Sequence, residues 1–224
     1  MRQRTLGLAT IGQAPREDMR ELFMGEAPRG TSVVLRGCLD GLSQAQIAAC
    51  APRDGDDTLY TRLREERDIK ISKRAVIQRA ADTIAALRRD GAAVVVFACT
   101  GEFPSIAGDE GVIYPSRVLN GLVAALLPRG RLGILVPLAE QIPKLKAKWA
   151  RPGLAVFAEP LLPSDVGPSV AAAAARLLPH RPDLVAMDCM GYSRAAKAIV
   201  KSVMRVPTLL AASTAGAIVR EMLD

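Results

Sequence analysis

The chain holds a single histidine, His180, in 224 residues, and among aromatics only one Trp, three Tyr and four Phe. A Cys-His or Ser-His-Asp hydrolase would need His180 as its base. That residue stands between Pro179 and Arg181-Pro182, just ahead of an apolar strand pattern and at the end away from a strand-end nucleophile. One histidine and four cysteines, at positions 38, 50, 99 and 189 with no CxxC pair, also argue against a conventional zinc site. The scarcity of aromatics argues against a binder that stacks nucleic-acid bases, and no zinc-finger or RNA-binding signature occurs. No G-x-G-x-x-G follows a strand and no G-x-x-x-x-G-K-S/T occurs, so nothing supports a nucleotide cofactor or phosphoryl transfer. No apolar run reaches the ~18 residues of a membrane span, and the stretch after Arg2 and Arg4 is too short for a signal peptide. Unpaired cysteines fit a reduced, cytoplasmic setting. The expected partners therefore include no nucleic acid and no membrane.

What the chain does have is a hydrophobic content of 50%, enough for a well-buried core. Its net charge of +7 would permit a polyanion partner, but the positive residues are dispersed and interleaved with acids, as in Arg62-Leu63-Arg64-Glu65-Glu66-Arg67-Asp68. A basic surface of this kind also steers small carboxylates. Apolar strand patterns at 6–10, 31–36, 94–98, 132–136, 154–158 and 184–187 alternate with helical spacing. In the helix predicted at 73–89, Val76, Ile77, Ala80, Ile84 and Leu87 share one side. Pro15, Glu17 and Asp18 suit the first turn of a helix, and Ser43 caps a short helix carrying Cys50. Residues 58–63 and 69–72 alternate around a charged centre as an antiparallel hairpin. A further short strand at 112–114 is followed by a helix from about Ser116 to Leu126. The last elements are a helix at 193–203, a strand at 206–210 and a helix at 213–223.

Regular strand-helix alternation predicts an α/β fold with parallel sheets flanked by helices, because parallel strands need crossover connections. Two such units are expected, residues 1–115 and 116–206, with 207–224 returning to the first.

Two thiols end matching strands: Cys99 in Val96-Phe97-Ala98-Cys99-Thr100-Gly101 and Cys189 in Ala186-Met187-Asp188-Cys189-Met190-Gly191. The carboxyl end of a parallel strand is where open α/β sheets bind ligands, and backbone N–H groups there lower a thiol's pKa and hold anions. Each cysteine taken alone is equally a small buried hydrophobe. The loop Thr10-Ile11-Gly12-Gln13-Ala14-Pro15-Arg16 offers a hydroxyl, main-chain donors, an amide and a guanidinium, a set that suits a carboxylate, or is ordinary strand-helix punctuation. In Pro115-Ser116-Arg117, Ser116 reads as a helix cap and Arg117 as an anion contact. Tyr192 either offers its hydroxyl to the ligand or packs at a helix start. Asp188 either tunes the neighbouring thiol or, as the plainer reading has it, satisfies local backbone groups.

Several of these stretches together resemble the AroM family, within the broader aspartate/glutamate (Asp/Glu/hydantoin) racemase superfamily. They are Thr10-Ile11-Gly12-Gln13-Ala14-Pro15-Arg16-Glu17-Asp18, Pro115-Ser116-Arg117, Val136-Pro137-Leu138-Ala139-Glu140-Gln141 with Lys148-Trp149, and Met187-Asp188-Cys189-Met190-Gly191-Tyr192. The resemblance covers nearly the whole length. It implies two pseudo-symmetric α/β domains with the active site in the cleft between them. It also implies cofactor-independent proton transfer by one cysteine from each domain, for which Cys99 and Cys189 match. Superfamily racemases usually carry Asp-Ser-Gly near the start, Cys-Asn-Thr or Cys-Asn-Ser at the first thiol and Gly-Cys-Thr at the second. Here those stretches read Thr10-Ile11-Gly12, Cys99-Thr100-Gly101 and Asp188-Cys189-Met190.

The reading that follows is a racemase or isomerase of a small carboxylate or dicarboxylate that needs no cofactor and no metal. Cys99 and Cys189 would be the acid/base pair. Thr10, Gly12, Gln13, Arg16, Thr100, Gly101, Ser116, Arg117, Met190, Gly191 and Tyr192 would form the substrate site. A related decarboxylase, or a non-catalytic carboxylate-binding or regulatory protein on the same scaffold, is the alternative, and a homo-oligomer is left open.

Overall fold

The computed structural model describes residues 4–224. They form two compact units, one running to Pro115 and completed by Ala215–Asp224, the other comprising Ser116–Thr214.

In the first unit the chain runs β1 (Thr5–Thr10), α1 (Glu17–Glu26), β2 (Ser32–Gly37), α2 (Gln44–Ala48), β3 (Thr58–Arg62), β4 (Asp68–Ser72), α3 (Lys73–Arg89) and β5 (Val94–Ala98). β2, β1 and β5 form a parallel sheet in that order, with Leu8 opposite both Leu35 and Val96. β1 and β5 are apolar on both faces because helices cover a parallel sheet on both sides. α3 turns Val76, Ala80, Thr83, Ile84 and Leu87 inward, the spacing of one helical face, and leaves its charged residues outward. β3 and β4 pair as an antiparallel hairpin with Thr58 opposite Ser72 and Arg62 opposite Asp68.

Two local expectations are revised here. Pro15 stands before α1 rather than in its first turn, and Arg16 is the residue at the helix's N-cap. The strand expected at 112–114 reduces to one parallel bridge, Ile113 to Val96, in which the Phe97 N–H donates to the Ile113 carbonyl at 2.9 Å and the Ile113 N–H to the Val95 carbonyl at 2.8 Å. Three residues between a polar loop and a helix start are too few to extend the ladder, yet the bridge gives β5 a neighbour on each side.

The second unit contains α4 (Pro115–Leu126), which starts at the last residue of the first, then β6 (Gly130–Val136), α5 (Ile142–Trp149), β7 (Leu154–Pro160), α6 (Pro168–Leu177), β8 (Leu184–Met187), α7 (Arg194–Met204) and β9 (Thr208–Leu210). Its sheet is parallel throughout, in the order β7-β6-β8-β9. β9 therefore joins this sheet, pairing Leu210 with Met187, and does not return to the first unit as the sequence suggested. The reason is hydrogen bonding. A three-residue strand leaving α7 finds the open edge of β8 beside it, as parallel strands linked by one helix do. Only α8 (Ala211–Leu223) crosses over, with its residues from Ala215 onward in the first unit. Among the described residues no helix is long and apolar enough to cross a membrane.

Candidate active site

Because β1, β2 and β5 are parallel, their carboxyl ends share one edge of the first sheet, and the segments that follow them lie there together. These segments are Thr10 to Gln13, Gly37 to Asp40, and Cys99 to Gly101. The strand ladder ends at the Thr10 and Ala98 pair, so Cys99 is the first residue beyond it. The Cys99 side chain is buried, 8% exposed, and its Sγ accepts a hydrogen bond from the Gly101 N–H at 3.3 Å. Thr100 beside it is buried.

The second unit repeats this arrangement. β8 lies inside its sheet, between β6 and β9, just as β5 lies between β1 and the Ile113 bridge. Cys189 follows two residues past β8, half-buried, and its Sγ accepts from the Gly191 N–H at 3.4 Å. Each thiol thus ends an internal parallel strand and receives the amide of the glycine two residues on. An amide donor aimed at sulfur favours the thiolate over the thiol.

The groups proposed around the first thiol turn largely inward. The Thr10 hydroxyl accepts from the Gly12 N–H at 3.3 Å, a bond that leaves its own proton to donate. Gln13 is buried. Its amide donates to the Leu39 carbonyl at 3.3 Å and its carbonyl oxygen accepts from the Arg64 N–H at 3.4 Å, so it braces the loop. Arg16 is buried, 7% exposed, and grips Asp18 with two hydrogen bonds, Nε to Oδ1 at 2.9 Å and Nη2 to Oδ2 at 2.7 Å. Burial alone would raise the Asp18 carboxyl, but the hydrogen bonds and charge of Arg16 outweigh it and hold it below its ordinary 3.8. The guanidinium expected to meet a substrate carboxylate is thus already paired with a carboxylate of the same helix turn. Gly12 lies against the hairpin, where a Cβ would overlap the Arg62 carbonyl and the Thr61 hydroxyl.

In the second unit, Tyr192 is buried and its hydroxyl donates to the Leu161 carbonyl at 2.6 Å. Met190 is buried. Ser116 is buried inside the first turn of α4, which begins at Pro115, so it is not the capping residue, and Arg117 beside it is exposed. His180 lies in a 3-10 turn at Leu178–His180 ahead of β8, stacked on Phe157 with ring centroids 4.2 Å apart.

Three features escape the sequence. Cys38 shares the edge of the first sheet, its N–H donating to the Thr10 carbonyl at 2.9 Å while the Thr83 hydroxyl donates to its sulfur at 3.6 Å. Burial pushes its thiol from 9.0 up to about 12, with the nearby Cys99 and Asp40 adding to the rise and the Thr83 bond opposing it. The hairpin supplies Thr61, Arg62 and Arg64 to the β1 loop, and Arg64 reaches Asp40 at 3.7 Å. Asp188 is the third feature. It accepts from Lys148 Nζ at 3.1 and 2.9 Å and from Trp149 Nε1 at 2.9 Å. The only sequence trace of this last cluster is that Lys148-Trp149 and Asp188 both fall in stretches carrying the family resemblance; no spacing rule pairs residues 40 positions apart.

A family model described as AroM protein matches residues 6–223. Solved structures similar to this chain include an unliganded arylmalonate decarboxylase, with a TM-score of 0.65 at 14% identity, covering 99% of this chain and 93% of that one. A glutamate racemase from Francisella tularensis subsp. tularensis SCHU S4 in complex with D-glutamate gives a TM-score of 0.58 at 17% identity, covering 99% and 81%. The maleate isomerase Iso from Pseudomonas putida S16 gives 0.61 at 11% identity, covering 95% and 90%. At such identities the likeness is one of fold. Comparison of the sequence with curated proteins finds no match.

Proposed function

The chain belongs to the AroM family, and on that footing we propose that it is a cofactor-independent racemase or isomerase of a small carboxylate, with Cys99 and Cys189 as its acid/base pair. The observation that carries this reading is the matched setting of the two thiols, each ending an internal parallel strand and each accepting the N–H of the glycine two residues on, at 3.3 and 3.4 Å. Structural likeness to racemases, an isomerase and a decarboxylase supports a scaffold suited to chemistry beside a carboxylate.

The mechanism needs one thiolate and one thiol. The thiolate removes the proton from the carbon α to the carboxylate, leaving the electron pair spread as an enediolate. The thiol then delivers its proton to the opposite face, so atoms and charge balance and the two sulfurs exchange roles. Main-chain N–H donors beyond Thr10, Cys99 and Cys189 would stabilise the enediolate, since preorganised donors act where charge develops. With Arg16 committed to Asp18, the carboxylate falls to those main-chain donors, with Thr100, Ser116 and Arg117 as side-chain contacts.

A second reading is a decarboxylase, in which carbon dioxide leaves a disubstituted malonate and one thiol protonates the resulting enediolate. It is favoured by the unequal exposure of the thiols, Cys189 half-buried and Cys99 buried, because one accessible proton donor suffices.

The test is proton exchange by NMR in heavy water with a panel of amino, hydroxy and dicarboxylic acids and disubstituted malonates. A two-thiol enzyme exchanges an α proton and loses that exchange by at least about a hundredfold in both Cys99→Ser and Cys189→Ser, the range of a lost general acid or base. Release of carbon dioxide from a malonate that survives one of the two substitutions selects the decarboxylase. No reaction across the panel, with saturable ligand binding retained, selects a carboxylate-binding protein instead.

A further inference from the structure

Beside Cys189 lies a charge cluster that the proton-transfer chemistry does not use. Asp188, the residue before the thiol, has a side chain 0% exposed, and Lys148 Nζ meets its carboxylate at 2.9 Å with a side chain 1% exposed. The Trp149 indole donates to the same oxygen at 2.9 Å, and the Lys148 ammonium stands 5.0 Å from the centre of the Trp149 ring. Both partners come from the end of α5, so a helix 40 residues upstream carries a cation and an N–H donor to the carboxyl end of β8. Backbone geometry holds the carboxylate there too, since the Asp188 N–H donates to the Leu135 carbonyl of β6 at 2.9 Å.

A buried carboxylate one residue from a reacting thiol would oppose thiolate formation, because like charges a few ångströms apart repel strongly away from water. We infer that Lys148 is a positioning and charge-compensating residue for Cys189: it cancels the Asp188 charge, so that the carboxylate can anchor the strand end to α5 without suppressing ionisation of the neighbouring thiol. The inference rests on the reading of Cys189 as an acid/base group. The charged residues nearest in sequence to this loop, Asp183 ahead of β8 and Arg194 at the start of α7, are common to every variant compared below.

The experiment is the pH dependence of iodoacetamide alkylation at the Cys189 peptide, followed by mass spectrometry in the intact protein. Lys148→Met removes the cation that meets the carboxylate and moves the alkylation midpoint up by about one pH unit, roughly a tenfold slower reaction at neutral pH. Asp188→Asn removes the anion that meets the ammonium and moves the midpoint down. The double substitution is neutral and returns it close to the parent value, while Trp149→Phe, which changes no charge, leaves it in place. A merely structural role would shift both single variants in the same direction and the double variant further, and that outcome, or no shift, overturns the inference. If Lys148→Met fails to fold by circular dichroism, the contrast between Asp188→Asn and Trp149→Phe decides it. The readout is thiol ionisation, so absent substrate exchange with opposed midpoint shifts counts against the racemase reading alone.

Discussion

Cys38 and Cys99 end neighbouring segments of one sheet edge, yet their surroundings direct them to different chemistry. Both pack into one apolar cluster with Leu39, Ile47 and Cys50, but the Cys99 sulfur receives the Gly101 amide and the Cys38 sulfur the Thr83 hydroxyl. Burial raises the Cys38 thiol to about 12, so at pH 8 it stays protonated and iodoacetamide leaves its peptide unmodified until the protein is unfolded. The same shift sets a sign for stability. Above about pH 9 the unfolded chain loses the Cys38 proton while the folded chain keeps it, so the folded state binds more protons and stability falls as pH rises towards 12. Urea unfolding at pH 8 and pH 10 checks this: in Cys38→Ala the loss of stability between those two values is smaller than in the parent. The residue scale also shows where sequence reading stops. Arg16 and Asp18 are two positions apart and their pairing is a local matter, yet nothing in Arg16-Glu17-Asp18 says whether the guanidinium serves the helix turn or a ligand. In the structure the buried guanidinium is paired with the Asp18 carboxylate at 2.7 Å, as a buried cation requires a partner.

At the scale of elements, the hairpin β3–β4 is the least expected contributor. Its alternating pattern marks it as a hairpin, and its role depends on what it touches. The Arg62 carbonyl accepts from the Gln13 N–H at 3.4 Å, and the same strand end fills the space beside Gly12. A side chain at position 12 would have to displace backbone as well as a hydroxyl, so Gly12→Ala is expected to destabilise by about 1–3 kcal/mol, the range for overpacking a filled site. Thermal unfolding measures that loss, and a neutral result would mean that the hairpin does not seat on the β1 loop. Parallel strands such as β5 and β8 were legible because they are short apolar runs closed by glycine. The single bridge at Ile113 was not, since a run of three residues carries too little periodicity to separate a strand from a bridge.

Across the whole molecule, the chain divides into two parallel α/β units joined by α4 and α8, and the last of these helices returns the terminus to the first unit. Arg4 of the first unit donates to the Asp224 carbonyl at 2.9 Å, and two further features bear on that return. Gly216 lies so near Glu26 that an added Cβ would stand 2.8 Å from the Glu26 Cβ, while Arg220 donates to the Glu26 carbonyl at 2.7 Å and reaches its carboxylate at 3.4 Å. Gly216→Val is expected to cost on the order of 1–3 kcal/mol by forcing α1 and α8 apart, whereas Arg220→Ala costs less than about 1 kcal/mol because the Arg220 side chain is itself 54% exposed. Chemical denaturation of the two variants side by side tests the ranking, and equal losses would contradict it.

The sequence by itself determined the alternation of strands and helices, the parallel α/β class and the family. It also placed two thiols at strand ends with a glycine two residues beyond each, because these follow from short-range periodicity and from a hydrogen bond that spans two residues. Tertiary structure decided the rest: β9 in the second sheet, the hairpin against Gly12, Tyr192 turned to the Leu161 carbonyl, and Asp188 joined to Lys148 and Trp149. Each of these joins groups from 23 or more positions apart, and which distant group fills a buried place depends on how whole elements pack, a choice that no local pattern records.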